Sequence, residues 1–500
     1  MSRPSKANIV FILTDDQGIW AAGCYGNPEI RTPSIDSLAA TGVRFENFFI
    51  TIPVCSASRA CLLTGRIPSQ HGVHDFLTGK ADMGPDAKSF MDDEICYTDV
   101  LSEHGWTCGL SGKWHLGSSI LPQHGFSHWF AHPHGAGQYN DQEMIRNGAR
   151  EVAPGYVTSA ITDDALAFID AHATDDDPFY LSVNYTAPHS PWTGHPQEIV
   201  DSYDDCPFES CPQEPRHPWA ITPRNSDPTK ADATTLGLSN NLNNRESLKG
   251  YFASVTAMDL DVGRIVDRLE ALDLRDNTLV IFASDNGYSC GHHGFWGKGN
   301  GTNPVNMYEN SIKVPFIASH PGVLPEGMVQ SAMVASYDFM PTLLEYLNLP
   351  LPDTQLPGES FLPALKDESA SGRDAVIIYD EYGYCRMIRT REWKYVHRYP
   401  DGPNELWDLV NDPDERQNLI DEPAQEPGIK ELKEQMEAWF DEYVDPDKDG
   451  IGFDVGAGQN RPVGTKWDDG TDAFVYTAVK RRRHDAQSRR MSDSKAPSGV

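Results

Sequence analysis

Four oxygen-bearing side chains stand at the ends of two predicted strands. Asp15-Asp16 closes the apolar run Ile9–Leu13, and Asp285-Asn286 follows Thr278–Ser284. In α/β sheets, ligands collect outside the carboxyl ends of strands. Carboxylate and amide oxygens suit a hard divalent cation, and about six to eight oxygens at flexible geometry is the habit of Ca²⁺. Each pair alone is ordinary turn chemistry; the case for a metal rests on the company they keep. Cys55-Ser-Ala-Ser-Arg59 follows Pro53 and opens a predicted helix. A helix N-terminus stabilises an anion beside it, and the Arg59 fork matches tetrahedral oxyanions. The plain alternative is a buried structural cysteine. Lys113, His115, His189 and Lys298 also fall in short motifs. Taken singly, such lysines are solvated surface residues and such histidines are hydrogen-bonded loop residues.

The motifs together resemble the type I sulfatases, a family of the alkaline phosphatase-like superfamily. Cys55-Ser-Ala-Ser-Arg59 with Leu63-Thr-Gly-Arg66 is similar to the signature in which a cysteine becomes formylglycine after translation, with Ala57 where Pro is more frequent. Asn8–Asp16 resembles the family's first metal strand, and Thr32–Leu38 its first helix. Ser111–Gly117 resembles its Gly-Lys-x-His element, and Ala187–Pro191 its Pro-His-x-Pro turn. Ser284–Gly287 and Gly297-Lys-Gly299 resemble its second metal strand and last lysine. Glu405–Leu409 with Asp412–Glu415 resembles its C-terminal signature. The likeness spans roughly residues 7–440.

The resemblance implies one Ca²⁺ held by Asp15, Asp16, Asp285, Asn286 and the modified Cys55. It implies a gem-diol nucleophile that attacks sulfur and expels the alcohol, with the metal as Lewis acid and template. The second hydroxyl then collapses to the aldehyde and releases sulfate, where a simple serine would leave a stable ester. Arg59 and Lys113 would steady the nucleophile and the sulfate charge. His115 would take the proton of the second hydroxyl. Lys298 and His189 would bind sulfate oxygens and assist the leaving oxygen. A formylglycine-generating enzyme is the implied maturation partner, and a small sulfated sugar the expected substrate.

Weaker candidates surround this set. His71, His74 and Asp75 lie just past the nucleophile helix, and His292 and His293 lie between the second metal strand and Lys298. His132 and His134 sit in a Gly-rich loop. Trp192 and Trp219 could stack on a sugar face, though packing is the default for both. Trp106 reads as core.

These residues need a frame. Apolar runs at 8–15, 44–52, 179–184, 278–284 and 314–319 read as strands, and 33–42, 158–172, 245–272 and 337–347 as helices. The alternation predicts an α/β fold with a mostly parallel sheet covered by helices. After about residue 372 short strand-like pieces at 375–379, 384–389 and 393–399 precede a helix at 427–443, which predicts a smaller antiparallel subdomain. The expected division is 1–372, a catalytic unit with an irregular insertion at about 200–245; 373–479, the antiparallel subdomain; and 480–500, a basic disordered tail.

Composition narrows the function class. The 500 residues carry 41 basic and 73 acidic side chains, a formal net charge of -32. That argues against nucleic acid and anionic membranes as partners. With 39% hydrophobic residues the acidity is no sign of disorder. The five-residue run Ile9–Leu13 is too short for a signal-peptide core. No 18-residue apolar stretch occurs, so a cytoplasmic location is expected. Nine cysteines at irregular spacing then read as reduced thiols; Cys206 and Cys211 are close enough in sequence to pair. Two rivals stand beside the sulfatase reading. Phosphonate monoester or phosphodiester hydrolases of the same superfamily tend to carry Asp-His where this chain has Asp285-Asn286. A non-catalytic binder of sulfated glycan would leave Cys55 a thiol.

Overall fold

The computed structural model describes residues 6–77, 87–221, 241–380, 384–452 and 458–463. Residues 222–240 of the expected insertion, 464–479 of the expected subdomain and the expected tail at 480–500 lie outside the described residues.

In chain order the strands are Asn8–Asp15 (β1), Val43–Phe49 (β2), Thr107–Lys113 (β3), Phe126–His132 (β4), Asn140–Arg146 (β5), Ala149–Tyr156 (β6), Phe179–Pro188 (β7), Thr278–Ser284 (β8), Ser289–Cys290 (β9), Trp296–Gly297 (β10), Lys313–Ser319 (β11) and Met328–Ala335 (β12). The large sheet runs β12-β2-β11-β8-β1-β7-β3-β4-β5-β6. Its centre, β8 through β4, is parallel; β11 opposes both its neighbours, and β5 and β6 turn back antiparallel. An uninterrupted apolar run belongs in a strand covered on both faces. β1 obeys this: every residue is buried. Ile9, Phe11 and Leu13 enter one core, while Val10 and Ile12 enter the other.

The helices longer than five residues are Pro33–Ala40 (α1), Cys55–Thr64 (α2), Tyr97–Glu103 (α3), Val157–His172 (α4), Arg245–Ala271 (α5), Phe339–Leu347 (α6) and Glu426–Tyr443 (α7). The apolar faces of α1, α4 and α5 cover the Val10 face. Those of α2, α3 and α6 cover the Ile9 face. α5 begins where Asn244 accepts hydrogen bonds from the Glu246 and Ser247 N–H groups, satisfying donors the first turn leaves over.

A second sheet, Ala375–Asp380 (β13), Cys385–Thr390 (β14), Trp393–Arg398 (β15) and Glu405–Asp408 (β16), is antiparallel throughout. Leu432, Met436 and Phe440 of α7 join it to the Ile9-side core. A buried ionic knot fastens this sheet to the larger one. Lys394 lies against Glu415 and 3.3 Å from Glu309, and Arg389 is 3.2 Å from Glu309. Among the described residues no helix is long and apolar enough to cross a membrane. No disulfide forms among them either, and Cys206 and Cys211 are both thiols.

Candidate active site

The pairing of β1 with β8 sets Thr14 beside Ser284, so the residues that follow, Asp15-Asp16 and Asp285-Asn286, emerge together. The Asp285 N–H donates to the Thr14 carbonyl at 3.0 Å. Asp16 turns into the left-handed region at φ 67. Cys55 is the first residue of α2, delivered from an extended Val54. One ligand atom from each of Asp15, Asp16, Cys55 and Asp285 can be chosen so that all lie within 4.8 Å of one another, and all four residues are buried. Asn286 Nδ2 donates to Asp16 Oδ1 at 2.6 Å, which leaves the Asn286 carbonyl oxygen on the side of Lys298 Nζ at 3.1 Å.

Lys113 ends β3. Gly112 before it has φ 116, and a Cβ there would stand 2.0 Å from the Asn184 carbonyl oxygen. Only glycine lets β3 approach β7 this closely. Lys113 Nζ reaches Asp15 Oδ2 at 2.5 Å. Its carbonyl is held by Arg59 Nη1 at 3.0 Å and Asn184 Nδ2 at 2.9 Å. Arg59 Nε donates to Asp285 Oδ2 at 2.9 Å, and Arg59 Nη2 is buried with no hydrogen-bond partner among the described residues. Lys298 contacts Asp16 and donates to Cys55 Sγ at 2.8 Å.

The electrostatics are those of a cation site. Burial works to raise Asp15, but Lys113, His189, Lys298 and Arg59 together hold its carboxyl well below the usual range. Burial and the charge of Asp15 push Asp285 up to about 6. Burial and Asp15 push the Cys55 thiol up to about 12, against the pull of Lys113 and Lys298. A thiol held protonated is a poor nucleophile. Three crowded carboxylates beside an amide oxygen form a donor set that fits a hard divalent cation such as Ca²⁺.

His115, itself at φ 57, is buried with its ring against Gly135, where a Cβ would stand 2.1 Å from Cε1. Nε2 donates to the Leu77 carbonyl at 3.2 Å, leaving Nδ1 buried with no partner among the described residues. Burial, Lys113 and Arg59 lower its pKa well below 6.5. His189 Nδ1 donates to the Ser190 carbonyl at 2.7 Å, and Nε2 faces Asp16 Oδ2 at 3.7 Å.

The weaker candidates have partners of their own. His71 Nε2 lies 3.3 Å from Cys61 Sγ, the His74 N–H donates to Gln459, and Asp75 accepts from the Gly458 N–H. His292 Nε2 donates to the Ser210 carbonyl, and His293 stacks on Tyr308 at 3.8 Å. His132 is buried beside Lys113 in the β3–β4 pairing, with Nδ1 2.6 Å from the His134 carbonyl, and His134 is exposed. Trp192 packs on Trp296, and Trp106 donates to the Ala7 carbonyl; both are core. Trp219 is half-buried under the Arg398 guanidinium. Sequence reasoning missed Asn184 and Tyr251, the latter donating to the Asp16 carbonyl at 2.8 Å. Both sit inside apolar periodic segments, where nothing in sequence separates a polar clamp from core.

Comparison with known proteins points to one family. The pattern of the Sulfatase family matches residues 7–349, and that described as N-sulphoglucosamine sulphohydrolase, C-terminal, matches 291–442. The chain is 30% identical to the Ulvan-active sulfatase of Formosa agariphila, over 93% of this chain and 88% of that protein. It is 27% identical to the N-acetylglucosamine-6-O-sulfatase of Bacteroides thetaiotaomicron, over 89% of this chain and 88% of that protein. A solved structure in complex with its substrate, D-glucosamine-2-N,6-O-disulfate, is similar with a TM-score of 0.74 and 26% identity, over 89% of this chain and 99% of that one.

Proposed function

The chain belongs to the sulfatase family, and from that membership we propose that it hydrolyses a carbohydrate sulfate ester to alcohol and sulfate at a centre built on Cys55. It is a sulfuric ester hydrolase; the sugar, the modification of Cys55 and the calcium ion are the proposal. The observation that carries it is the convergence of Asp15, Asp16, Asp285 and Cys55. The two relatives described above are named for saccharide substrates, and the solved complex holds a sulfated one.

Asp15, Asp16, Asp285, Asn286 and the Cys55 side chain would hold the ion. Bound there, Ca²⁺ would supply Lewis-acid charge at the sulfate, and Cys55 as formylglycine, made by a formylglycine-generating enzyme, would supply a hydrated aldehyde as nucleophile. The protein's own groups complete the chemistry. Arg59 offers its unpartnered Nη2 as a donor to oxyanion charge, its other contacts fixing the fork. Lys298, against Cys55 Sγ, and Lys113, against Asp15, place ammonium charge where sulfate charge develops. Neutral His115, its proton fixed on Nε2 by Leu77, presents Nδ1 as the base. His189, with Nδ1 committed to Ser190, would protonate the leaving oxygen from Nε2 as its imidazolium.

Peptide mass spectrometry across Cys55 on protein from its native host tests the nucleophile: formylglycine is expected, and an unmodified thiol throughout refutes it. Cys55→Ala should cut kcat on the order of 10⁴-fold or more with the circular dichroism unchanged. A panel of sulfated mono- and disaccharides beside an aryl sulfate and a phosphonate ester tests the substrate. The highest kcat/KM is expected on a sulfated saccharide; preference for the phosphonate ester overturns the reading.

A further inference from the structure

Two short turns must hold their carboxylates in register for this centre to work, one after β1 and one after β8. The first contains Asp16, a non-glycine residue at φ 67, a conformation that persists only where its surroundings impose it. Asn286 and Lys298 hold its carboxylate, and its backbone is held from α5 by one side chain. Tyr251, in the first half of α5, is fully buried, and burial raises its pKa far enough that the hydroxyl stays protonated. That hydroxyl donates to the Asp16 carbonyl at 2.8 Å and accepts from the Gly18 N–H at 3.2 Å. A single oxygen therefore closes both ends of Asp16-Gln17-Gly18.

The ring does as much as the hydroxyl. It stacks on Trp20, just past the first turn, at 5.4 Å between centroids, and on Tyr288, just past the second, at 5.9 Å. Trp20 Nε1 donates to the Tyr288 carbonyl at 2.8 Å, joining the two flanks. Ser284 adds a second stitch. Its Oγ accepts from the Gln17 N–H at 3.1 Å and donates to the Asn286 carbonyl at 2.9 Å. Asp15, Asp16 and Asp285 repel one another when ionised, so an unpinned turn would relax by swinging a carboxylate away. Pinning it in advance moves that cost out of the binding step.

We infer that Tyr251 is a positioning residue for the cation, its hydroxyl clamping the Asp16 turn and its ring bridging the two ligand-bearing turns. The inference rests on the calcium reading above. It explains why a phenol, and not another aliphatic residue, occupies a buried position of α5 more than 230 residues away in sequence from the turn it holds.

The test is calcium titration by isothermal calorimetry on the full-length protein after removal of metal with EDTA, using wild type, Tyr251→Phe, Ser284→Ala and, as a control, Tyr97→Phe. Tyr97 also loses a buried hydroxyl hydrogen bond, to Tyr180 at 2.7 Å, but does not touch either turn. The Y251F Kd for Ca²⁺ should rise by about 10–100-fold, with S284A shifted in the same direction and Y97F unchanged. Turnover of Y251F should recover as Ca²⁺ is raised. A Y251F constant equal to wild type, or a Y97F shift as large as that of Y251F, overturns the clamp while leaving the calcium site standing. If Y251F does not fold, an unchanged S284A constant overturns it. Wild-type protein that takes up no Ca²⁺ overturns the calcium reading and the clamp with it.

Discussion

His115 shows how burial selects one protonation state of a side chain. A histidine in water is part-charged near neutrality, and a charged imidazole cannot accept a proton. Here burial, then Lys113 and Arg59, disfavour the imidazolium, and the Leu77 carbonyl fixes the tautomer that leaves Nδ1 bare. His115→Ala should therefore lower kcat by about 10²–10⁴-fold. Because the folded pKa lies well below 6.5, the wild-type advantage over H115A should stay constant from pH 8 down to pH 6. An advantage that fades with a midpoint near 6.5 would show that His115 is not the base. The residue's candidacy was legible because Lys113-Trp-His115 falls in a recognisable motif; its tautomer was not, since the carbonyl that sets it belongs to a residue 38 positions away. His71, His74 and Asp75 mark the reverse case. Their spacing past the Cys55 helix looked serviceable; in the fold the His71 ring lies against Cys61, the His74 backbone N–H donates to Gln459, and the Asp75 carboxylate accepts from the Gly458 N–H.

Strands with an unbroken or alternating apolar run and amphipathic helices were readable, and strands of mixed or charged composition were not. β1 and β8 hold continuous apolar runs, and β7 alternates apolar residues with Ser182, Asn184 and Thr186, so their strand character shows in composition alone. β5 and β6 lie at the sheet margin with charged, partly exposed residues, and their sequence carries no such run. β16 was legible as a motif but not as a strand, because four residues give too little periodicity to count. The close approach of β3 to β7 had a visible token, Gly112, whose reason only the fold supplies. Gly112→Ala would set a Cβ 2.0 Å from the Asn184 carbonyl at a backbone angle alanine avoids. The variant should lose about 1–3 kcal/mol of stability, read as a lowered Tm. Its kcat/KM should fall as well, since Lys113 is the next residue. A G112A protein with wild-type Tm and activity would mean that β3 can shift without disturbing the centre.

Across the whole molecule the charges are sorted by depth. Residues 401–450 hold 17 acidic and 4 basic side chains, and the acidic residues of α7 lie along its solvent side. The net charge of -32 thus reports on solubility, while the cations gathered around Cys55 and Asp15, namely Arg59, Lys113 and Lys298, are buried. Several histidines are buried as well, and they set the response to acid. Burial is the leading cause at each: His74 and His195 are pushed down to about 3, and His132, His292, His320 and His397 to about 4. An unfolded histidine binds its proton near 6.5, so the unfolded chain takes up protons first. Stability is then full above 6.5 and falls below it, by about 1.4 kcal/mol per pH unit for each histidine. Buried carboxylates with raised pKa work in the opposite sense: burial pushes Glu415 up to about 7 and Asp259 up to about 6. With Glu94, Asp261, Asp285 and Asp338, six carboxylates are raised among the described residues, against ten histidines lowered. Exposed carboxylates stay ionised until about pH 4, so relief of surface repulsion comes too late to compensate. Tm should therefore drop steadily between pH 6.5 and pH 5 at constant ionic strength. Replacing buried, remote His320, whose Nδ1 is 2.6 Å from the Tyr346 hydroxyl, with Asn should flatten part of that slope while lowering Tm at pH 7.5. A Tm as high at pH 5 as at pH 7 would mean that these histidines charge without unfolding the protein.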